Sequence, residues 1–362
     1  MGGTILKKIA FVRLRYLPPS ETFIYEELKN IKRFKAIVYT HRKINIKRFP
    51  FPRIKHLPSR TSKIARKFRR KKIRLIHARF GNAGVKLMSV KKRLHIPMVT
   101  SFHGFDLPSK RNSRKPYHRK LRVLFKVGNK FTVPSRQMKR QLIRWGCPAR
   151  KIKIMYSGIN LQKFSYKRRE NKTNHISLIS VGRLHRKKGL NYLIKAFKKV
   201  HDQHPSSRLV IVGDGDQRRM LKRLIASLKL KKSVKLKGLI AHGQLTELLH
   251  RADIFCLPSI TTKDGNHEGI PNSIKEAMAT GLPVVSTKHG GIPELVTNGR
   301  DGLLVPERNV KSLANKIKQL IKNPALRLQM GINGRERVVR HFNSAKQVRK
   351  LEGIYQKLIK KG

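Results

Sequence analysis

Two glutamates in the C-terminal half, Glu268 and Glu276, have types and spacing that could do chemistry. Seven residues separate them, and the first four form a Gly-Ile-Pro-Asn turn at 269–272. Good helix formers follow, so we predict a helix from Ser273 to Thr280. A glycine turn before a helix presents free backbone N–H groups, and the helix dipole favours an anion there.

A carboxylate in this loop is unsuited to a phosphate because like charges repel, but it can accept hydrogen bonds from sugar hydroxyls. We therefore predict that Glu268 holds a hexose and that Glu276, further into the site, holds a ribose. Ordinary solvated helix glutamates are the alternative. The glycine turns and apolar strands on both sides of the stretch weigh against it.

A second group of candidate residues follows the strand predicted at Ile176–Val181. Gly182 and Arg183 open the turn after that strand, and Lys188 comes five residues after the arginine. A diphosphate requires cations and free N–H groups at short range. Many loops of this chain are basic, so charge alone leaves an unspecialised loop as the alternative.

A histidine, His103, follows the strand predicted at Met98–Phe102 and begins the turn His-Gly-Phe-Asp. Ligands bind at the C-terminal ends of the strands in open α/β sheets. His103 is therefore a candidate binding residue, with a purely structural role as the alternative.

The elements that must position these residues are strands and helices in regular alternation, which predicts parallel, doubly wound sheets. A chain of 362 residues is too long for one compact core. The polar stretch 165–175 lacks apolar periodicity and is the best domain boundary. The fold class is thus α/β, with two Rossmann-like domains at 1–168 and 174–342, followed by a helical segment at 343–362.

The charge of the chain is extreme, with a formal net value of +68. Residues 1–169 hold 48 Lys and Arg and four acids, a net of +44, which leaves +24 for the rest. Such a field attracts nucleic acid, anionic lipid or phosphorylated substrates, although it also favours solubility.

The most basic stretch, residues 42–74, also contains apolar side chains. This mixture predicts an interfacial surface with snorkelling lysines, with a solvated loop and helix as the alternative. The apolar residues concerned are Phe49, Phe51, Leu57, Ile64 and Phe68.

Several classes of protein are disfavoured by what the sequence lacks. Cys147 and Cys256 are isolated, which suggests a reducing compartment and no disulfide framework. No signal peptide or apolar run of membrane-spanning length is expected. The Gly213–Gly215 spacing does not fit a dinucleotide fingerprint. No metal-ligand spacing or aromatic-interleaved RNA motif occurs, so we predict neither a metal nor a cofactor.

The stretch EGIPNSIKEAMATGLPVVSTKHGGIPELV, with its Glu-x7-Glu signature, resembles glycosyltransferase family 4, and most closely members that build exopolysaccharide of the colanic-acid type. The Gly-Arg and Lys-Gly pairs at 182–189 match another element of that family. The resemblance covers 176–306 densely and 10–160 sparsely. It implies the GT-B fold, in which two Rossmann-like domains face across a cleft and the last helix crosses back to the N-terminal domain.

The resemblance also implies retaining transfer of a sugar from a nucleotide sugar to an acceptor hydroxyl. Arg183 and Lys188 would stabilise the leaving diphosphate, His103 and Glu268 would face the sugar, and Glu276 would hold the ribose. The remaining donor-binding contacts would come from Gly182, Gly269, Ile270, Pro271 and Asn272.

The function expected from these observations is glycosyl transfer in cell-surface polysaccharide synthesis, with a glycan or lipid-linked glycan acceptor. The place of action would be the inner, anionic face of the cytoplasmic membrane, where the protein would bind peripherally. The alternatives are a starch- or glycogen-synthase-like transferase with a soluble acceptor, and a nucleic-acid-binding protein on the same scaffold. Nucleic acid is the less favoured partner.

Overall fold

The computed structural model describes residues 6–18, 21–103, 115–168, 175–240 and 242–360. Contacts along the chain define two compact units. The first comprises the described residues up to Gly158 together with those from Ser344 onward, and the second comprises those between Ile159 and Asn343. Each unit buries its own apolar side chains, which explains why 362 residues fold as two units rather than one.

The first unit contains a seven-stranded sheet. Its strands are β1 (Lys8–Val12), β2 (Lys35–Thr40), β3 (Ile54–His56), β4 (Ile73–Arg79), β5 (Met98–Ser101), β6 (Lys130–Val133) and β7 (Ile152–Ile154). The order is β3-β2-β1-β4-β5-β6-β7, and neighbouring strands pair in parallel. Strand β1 is buried on both faces, with Ala10 and Val12 in one core and Ile9 and Phe11 in another. Helices therefore cover both faces.

The helices of the first unit's N-terminal segment are α1 (Thr22–Asn30), α2 (Thr61–Arg70), α3 (Gly81–Leu94), α4 (Lys115–Val127) and α5 (Arg136–Arg144). Helix α2 lies within the basic stretch, and its apolar residues Ile64, Ala65 and Phe68 are buried. Its cations occupy the remaining positions of an amphipathic helix.

The predicted interfacial surface is corrected by this packing. Phe49, Leu57, Ile64 and Phe68 are all buried in the two cores of the first unit, and Phe51 is partly buried against one of them. Burying an apolar side chain of this size contributes on the order of 1.5–3 kcal/mol, so the core retains these residues. The basic stretch consequently presents cations, and none of these five apolar residues is exposed, although Ile46 in the same stretch is 37% exposed.

The second unit contains a six-stranded sheet. Its strands are β8 (Ser177–Val181), β9 (Arg208–Val212), β10 (Val234–Gly238), β11 (Ile254–Leu257), β12 (Val284–Thr287) and β13 (Leu303–Val305). The order is β10-β9-β8-β11-β12-β13, again with parallel neighbours. Its helices are α6 (Leu190–His201), α7 (Arg218–Ser227), α8 (His242–Arg251), α9 (Asn272–Ala279), α10 (Ile292–Leu295), α11 (Val310–Lys322) and α12 (Pro324–His341).

In each sheet the strand order reverses beside its first strand. The reversal lies between β1 and β4 in the first unit and between β8 and β11 in the second. The loops that follow two such strands diverge and leave a crevice at the C-terminal edge of the sheet, where ligands bind in folds of this kind.

The final helix, α13 (Ser344–Lys360), packs within the first unit. The Tyr355 hydroxyl lies 2.5 Å from Nδ1 of His77, and Glu352 accepts the backbone N–H groups of Lys32 and Arg33 at 2.8 and 2.7 Å. The unit boundary falls at Gly158, earlier than the polar stretch 165–175, because Ile159 pairs with Phe342 inside the second unit.

No helix in the described ranges is long and apolar enough to cross a bilayer.

Candidate active site

The first part of the site is the loop from Gly182 to Gly189, which follows β8 at the strand reversal. The loop ends in a short turn of 3-10 helix, and Gly189 has a φ of +64°. A Cβ at Gly189 would lie 1.9 Å from the Pro258 carbonyl oxygen, so only glycine fits this close approach. The Lys187 carbonyl also accepts the Ile260 N–H at 2.8 Å, which joins this loop to the one after β11.

The second part of the site is the loop after β11, which carries Glu268. The Nζ atoms of Lys187 and Lys188 each lie 3.2 Å from the same carboxylate oxygen of Glu268. The Lys188 side chain also lies over Gly182. Two of the sequence-predicted residues, Lys188 and Glu268, are therefore brought together at the strand reversal, with Lys187 as an addition.

The Glu268 carboxyl stays ionised despite being buried. Burial by itself would raise its pKa, but the ammonium groups of Lys188 and Lys187 offset burial and leave the pKa lowered. The three side chains together carry one positive charge in excess, and the exposed Arg183 on the same loop adds another. The cluster is therefore suited to an anion that also carries hydroxyl groups.

Backbone donors adjoin this cluster. Helix α9 begins at Asn272 with Pro271 as its N-cap residue, and the Pro271 side chain provides no cap for the first N–H groups. The segment from Gly269 to Asn272 leads into this helix start, where the dipole favours negative charge. Pro271 thus stands one position before the helix.

Glu276 lies in the middle of α9 beside Lys275, which is fully buried. Burial raises the pKa of Glu276 to about 7, although Lys275, Lys163 and Lys188 oppose the shift. Burial likewise lowers the pKa of Lys275 to about 7 against the pull of Glu276. The Lys275 ammonium lies 5.7 Å from the centroid of the Phe342 ring. The pKa of Glu276 thus lies near neutral pH, and its side chain is partly buried.

A histidine that sequence reasoning missed, His289, accepts a hydrogen bond from the Glu268 backbone. Nε2 of His289 lies 2.9 Å from the Glu268 backbone nitrogen, and Nδ1 lies 2.6 Å from a Glu307 carboxylate oxygen. The His289 side chain is 1% exposed, and burial lowers its pKa although Glu307 opposes the shift. His289 and Glu307 each lie two residues beyond the end of a strand, β12 and β13 respectively, so their position near strand ends was the available signal.

His103 belongs to the first unit and lies just beyond β5. Its Nε2 atom is 2.7 Å from Nη2 of Arg79, whose Nη1 is 2.7 and 2.8 Å from the two carboxylate oxygens of Glu27. Because guanidinium only donates, Nε2 of His103 must accept. Burial, reinforced by the Arg79 charge, lowers the pKa of His103 well below its usual range. A neutral imidazole is therefore fixed at this strand end.

The rest of the predicted His-Gly-Phe-Asp turn, residues 104–106, lies outside the described residues. Within the described ranges, no group of three or more His, Cys, Asp or Glu side chains is arranged to hold a metal ion.

Comparison with solved structures defines the class of the fold. The crystal structure of HepE from Anabaena in complex with UDP has a TM-score of 0.83 to this chain at 20% identity, and covers 98% of this chain and 100% of HepE. The complex of HepE with UDP-glucose gives a TM-score of 0.78 at 21% identity. The chain has the GT-B fold of two Rossmann-like α/β domains, and the predicted fold class is confirmed.

The family follows from sequence comparison. Residues 17–163 match the model for Glycosyltransferase Family 4, and residues 162–337 match the model for Glycosyl transferases group 1. The chain therefore belongs to the group 1, family 4 glycosyltransferases, as its Glu-x7-Glu stretch predicted.

Two curated relatives extend over most of the chain. The amylovoran biosynthesis glycosyltransferase AmsK of Erwinia amylovora is 36% identical over 285 residues, which are 78% of this chain and 70% of AmsK. The putative colanic acid biosynthesis glycosyltransferase WcaL of Escherichia coli is 34% identical over 284 residues, which are 78% of this chain and 70% of WcaL. Both names fall in the exopolysaccharide group to which the sequence is similar.

Proposed function

We propose that this glycosyltransferase moves a sugar from a nucleotide-sugar donor to a hydroxyl of a glycan acceptor in exopolysaccharide synthesis, with retention of anomeric configuration. The observation that carries the proposal is the buried, ionised Glu268 held between Lys187 and Lys188 at the strand reversal of the second unit. The names of AmsK and WcaL support the pathway class, and the HepE complexes support a nucleotide-sugar donor.

In this proposal the donor diphosphate binds to the cationic side of the cluster. Arg183 and Lys188 stabilise the negative charge that develops as the diphosphate leaves, and the N–H groups at the start of α9 add to that stabilisation. The Glu268 carboxylate accepts hydrogen bonds from hydroxyls of the transferred sugar. Glu276 accepts hydrogen bonds from the ribose, and His103 acts on the donor sugar, as the family resemblance implies.

The experiment that tests this assignment replaces one carboxylate. Glu268→Gln keeps the size of the side chain but removes the charge, and we expect the rate of sugar transfer to fall about 100- to 1,000-fold with the fold intact. Glu336→Gln, an exposed glutamate of the same unit, is the matched control and should transfer sugar at the wild-type rate. Near-normal turnover by the Glu268 variant would remove Glu268 from the site.

The donor and the stereochemistry are tested with the wild-type protein. A thermal-shift screen of nucleotide sugars should show stabilisation by a small group of donors, because a ligand that binds only the folded state raises the melting temperature. NMR of the product should then show the same anomeric configuration as the donor. An inverted product would refute retention, and stabilisation by none of the nucleotide sugars would refute the donor class.

The transfer is proposed to need no metal, because the two lysines and the arginine supply the positive charge for the leaving group. Full activity in EDTA is the expected result. Loss of activity on chelation, with recovery on adding magnesium or manganese, would overturn this part of the proposal.

A lipid-linked acceptor at the inner face of the cytoplasmic membrane is the finer part of the proposal. It is supported by an open, basic cavity of about 570 Å³ in the first unit. The cavity is lined by Lys7, Lys8, Arg69, Lys72, Arg74 and Arg93, with apolar residues between them. Each cation near an anionic surface contributes on the order of 1 kcal/mol, within about a Debye length.

Because Phe49 and Phe68 are buried and Phe51 is partly buried, this attachment is electrostatic and should be reversed by salt. The protein should sediment with anionic vesicles, but not neutral ones, at low ionic strength. Arg74→Glu with Arg93→Glu should weaken sedimentation more than the equally charged pair Lys231→Glu with Lys232→Glu in the second unit. Equal binding to neutral vesicles, or equal effects of the two pairs, would refute the site. A soluble acceptor used equally well without vesicles would favour the glycogen-synthase-like alternative.

A further inference from the structure

The imidazole of His289 links the Glu307 carboxylate to the backbone of Glu268, the proposed sugar-binding residue. We call this pair of contacts the bracket. The Nε2 atom of His289 is 2.9 Å from the Glu268 backbone nitrogen, and its Nδ1 atom is 2.6 Å from Glu307 Oε1. A backbone N–H can only donate, so Nε2 carries the lone pair and the ring proton lies on Nδ1, directed at Glu307. The two contacts thus define one neutral tautomer.

Glu307 is itself held in place. One carboxylate oxygen accepts the Thr261 backbone N–H at 2.8 Å, and the other accepts the Thr261 hydroxyl at 3.2 Å. Arg308 pairs with the same carboxylate at 3.1 Å. A carboxylate with this many donors has little rotational freedom, so it fixes the imidazole plane.

The residues that follow His289 hold the other side of the same backbone segment. The Gly291 N–H donates to the Gly269 carbonyl at 3.0 Å. Gly290 has a φ of +54°, and a Cβ there would lie 2.2 Å from the Glu268 carbonyl oxygen. The segment 289–291 therefore contacts the Glu268–Gly269 backbone at three points. These are the Glu268 N–H, the Glu268 carbonyl and the Gly269 carbonyl.

We propose that His289 and Glu307 are positioning residues of the transferase, which fix the backbone of Glu268 so that its carboxylate meets Lys187 and Lys188 on one side and the donor sugar on the other. The inference rests on the proposed function for its catalytic consequence. Displacement of a substrate-positioning group by about 1 Å can cost about 100-fold in rate, so a backbone bracket behind such a group affects turnover without touching the substrate.

The test compares two replacements of the same ring. His289→Phe keeps an aromatic ring but has no acceptor, and we expect kcat to fall about 10- to 100-fold. His289→Gln supplies an amide oxygen that can accept the Glu268 N–H, and should recover part of the lost kcat. His201→Phe is the matched control, since His201 is also hydrogen-bonded, to Ser233 at 2.9 Å, but lies away from the site.

A second measurement does not depend on turnover. Amide hydrogen exchange in the peptide 264–270 should accelerate in His289→Phe and in Glu307→Gln, and should stay at the wild-type rate in His201→Phe. If kcat and exchange in His289→Phe match the control, or if His289→Gln is no better than His289→Phe, the bracket is refuted. If the wild-type protein turns over no nucleotide sugar, the proposed function fails, and the exchange rates alone decide whether the bracket exists.

Discussion

Each unit of this protein holds a largely buried glutamate beside a cation, and the pKa values of the two glutamates shift in opposite directions. In the first unit, burial raises the pKa of Glu27 and the single guanidinium of Arg79 only partly opposes it. In the second unit, burial acts on Glu268 in the same sense, but two lysines overcome it and lower the pKa. One cation therefore only neutralises the charge of a carboxylate, whereas two cations leave an excess of positive charge.

This difference separates an ion pair that orients a neighbouring side chain, Glu27–Arg79, from a cluster that can bind an anion, Glu268 with Lys187 and Lys188. Arg79 also directs Nη2 at His103, so the charge of the Glu27–Arg79 pair serves to orient a neutral ring. The cluster of Glu268 with Lys187 and Lys188 retains positive charge that an incoming anion can satisfy. The predictions below test this distinction, from the largest expected effect to the smallest.

Breaking the Glu27–Arg79 ion pair should have the largest effect on stability. Arg79 is buried and Glu27 is largely buried, so Arg79→Leu leaves the carboxylate without its cation. Removal of one member of a buried ion pair costs about 3–5 kcal/mol. Trp145, the only tryptophan of the chain, packs against a core of the first unit. Its fluorescence during denaturation therefore reports the free energy of unfolding of that unit.

Two further variants test the cause of that loss. Arg66→Leu, on the exposed side of α2, should change the free energy of unfolding little. The double variant Arg79→Leu with Glu27→Leu should recover part of the stability, because it leaves no unpaired charge. A double variant less stable than Arg79→Leu alone would contradict the account of Glu27–Arg79 as a balanced pair.

Reducing the surplus charge of the second unit should affect catalysis instead. Lys188→Ala and Arg183→Ala should each cost about 1.5–3 kcal/mol, the scale of a charged hydrogen bond, or about ten- to 100-fold in kcat/KM. Arg219→Ala, an exposed arginine of the same unit, is the control. Equal losses in all three variants would mean that only bulk charge matters.

The pH dependence of stability should differ in sign between the two glutamates. The raised pKa of Glu27 means that the folded state holds its proton more tightly, so the contribution of Glu27 to stability falls as pH rises from about 4.5 through its folded pKa. The lowered pKa of Glu268 gives a contribution that is present above about 4.5 and is lost as pH falls through its folded pKa.

Glutamine variants measure these contributions by difference. The stability of the wild type relative to Glu27→Gln, followed by Trp145 fluorescence, should decrease with rising pH. The stability relative to Glu268→Gln, followed by hydrogen exchange in the second unit, should increase with pH across the acidic range. Slopes of the same sign would show that the number of cations does not set the difference.

The sequence predicted the regular elements well where apolar runs end at turns. The strands predicted at Ile176–Val181 and Met98–Phe102 are found at Ser177–Val181 and Met98–Ser101, and the helix predicted from Ser273 to Thr280 is found at Asn272–Ala279. Helix α2 was not separated from the basic stretch around it, because its five cations outnumber its three buried residues. Its phenylalanine was assigned to a surface for the same reason.

The site divides in the same way. Lys188 and Glu268 each lie in a short motif that contains a glycine turn, so the sequence predicted both. The structure brings the two residues together. Lys187 was missed because it is one more cation in a basic loop. His289 and Glu307 were missed because their roles depend on contacts 18 and 21 residues apart in sequence. Spacing does not reveal such contacts, but the strand order does, since β12 and β13 are neighbours.

The placement of α13 has a consequence for how the chain folds as it leaves the ribosome. Residues 344–360 complete the core of the first unit through contacts such as Tyr355 with His77, which are 278 residues apart. Domains usually fold during synthesis in the order in which they emerge. Here the second unit is fully translated while the first still lacks its last helix. The unit that is synthesised first is therefore the one that must wait, and a translational pause before residue 344 would leave its buried polar network exposed.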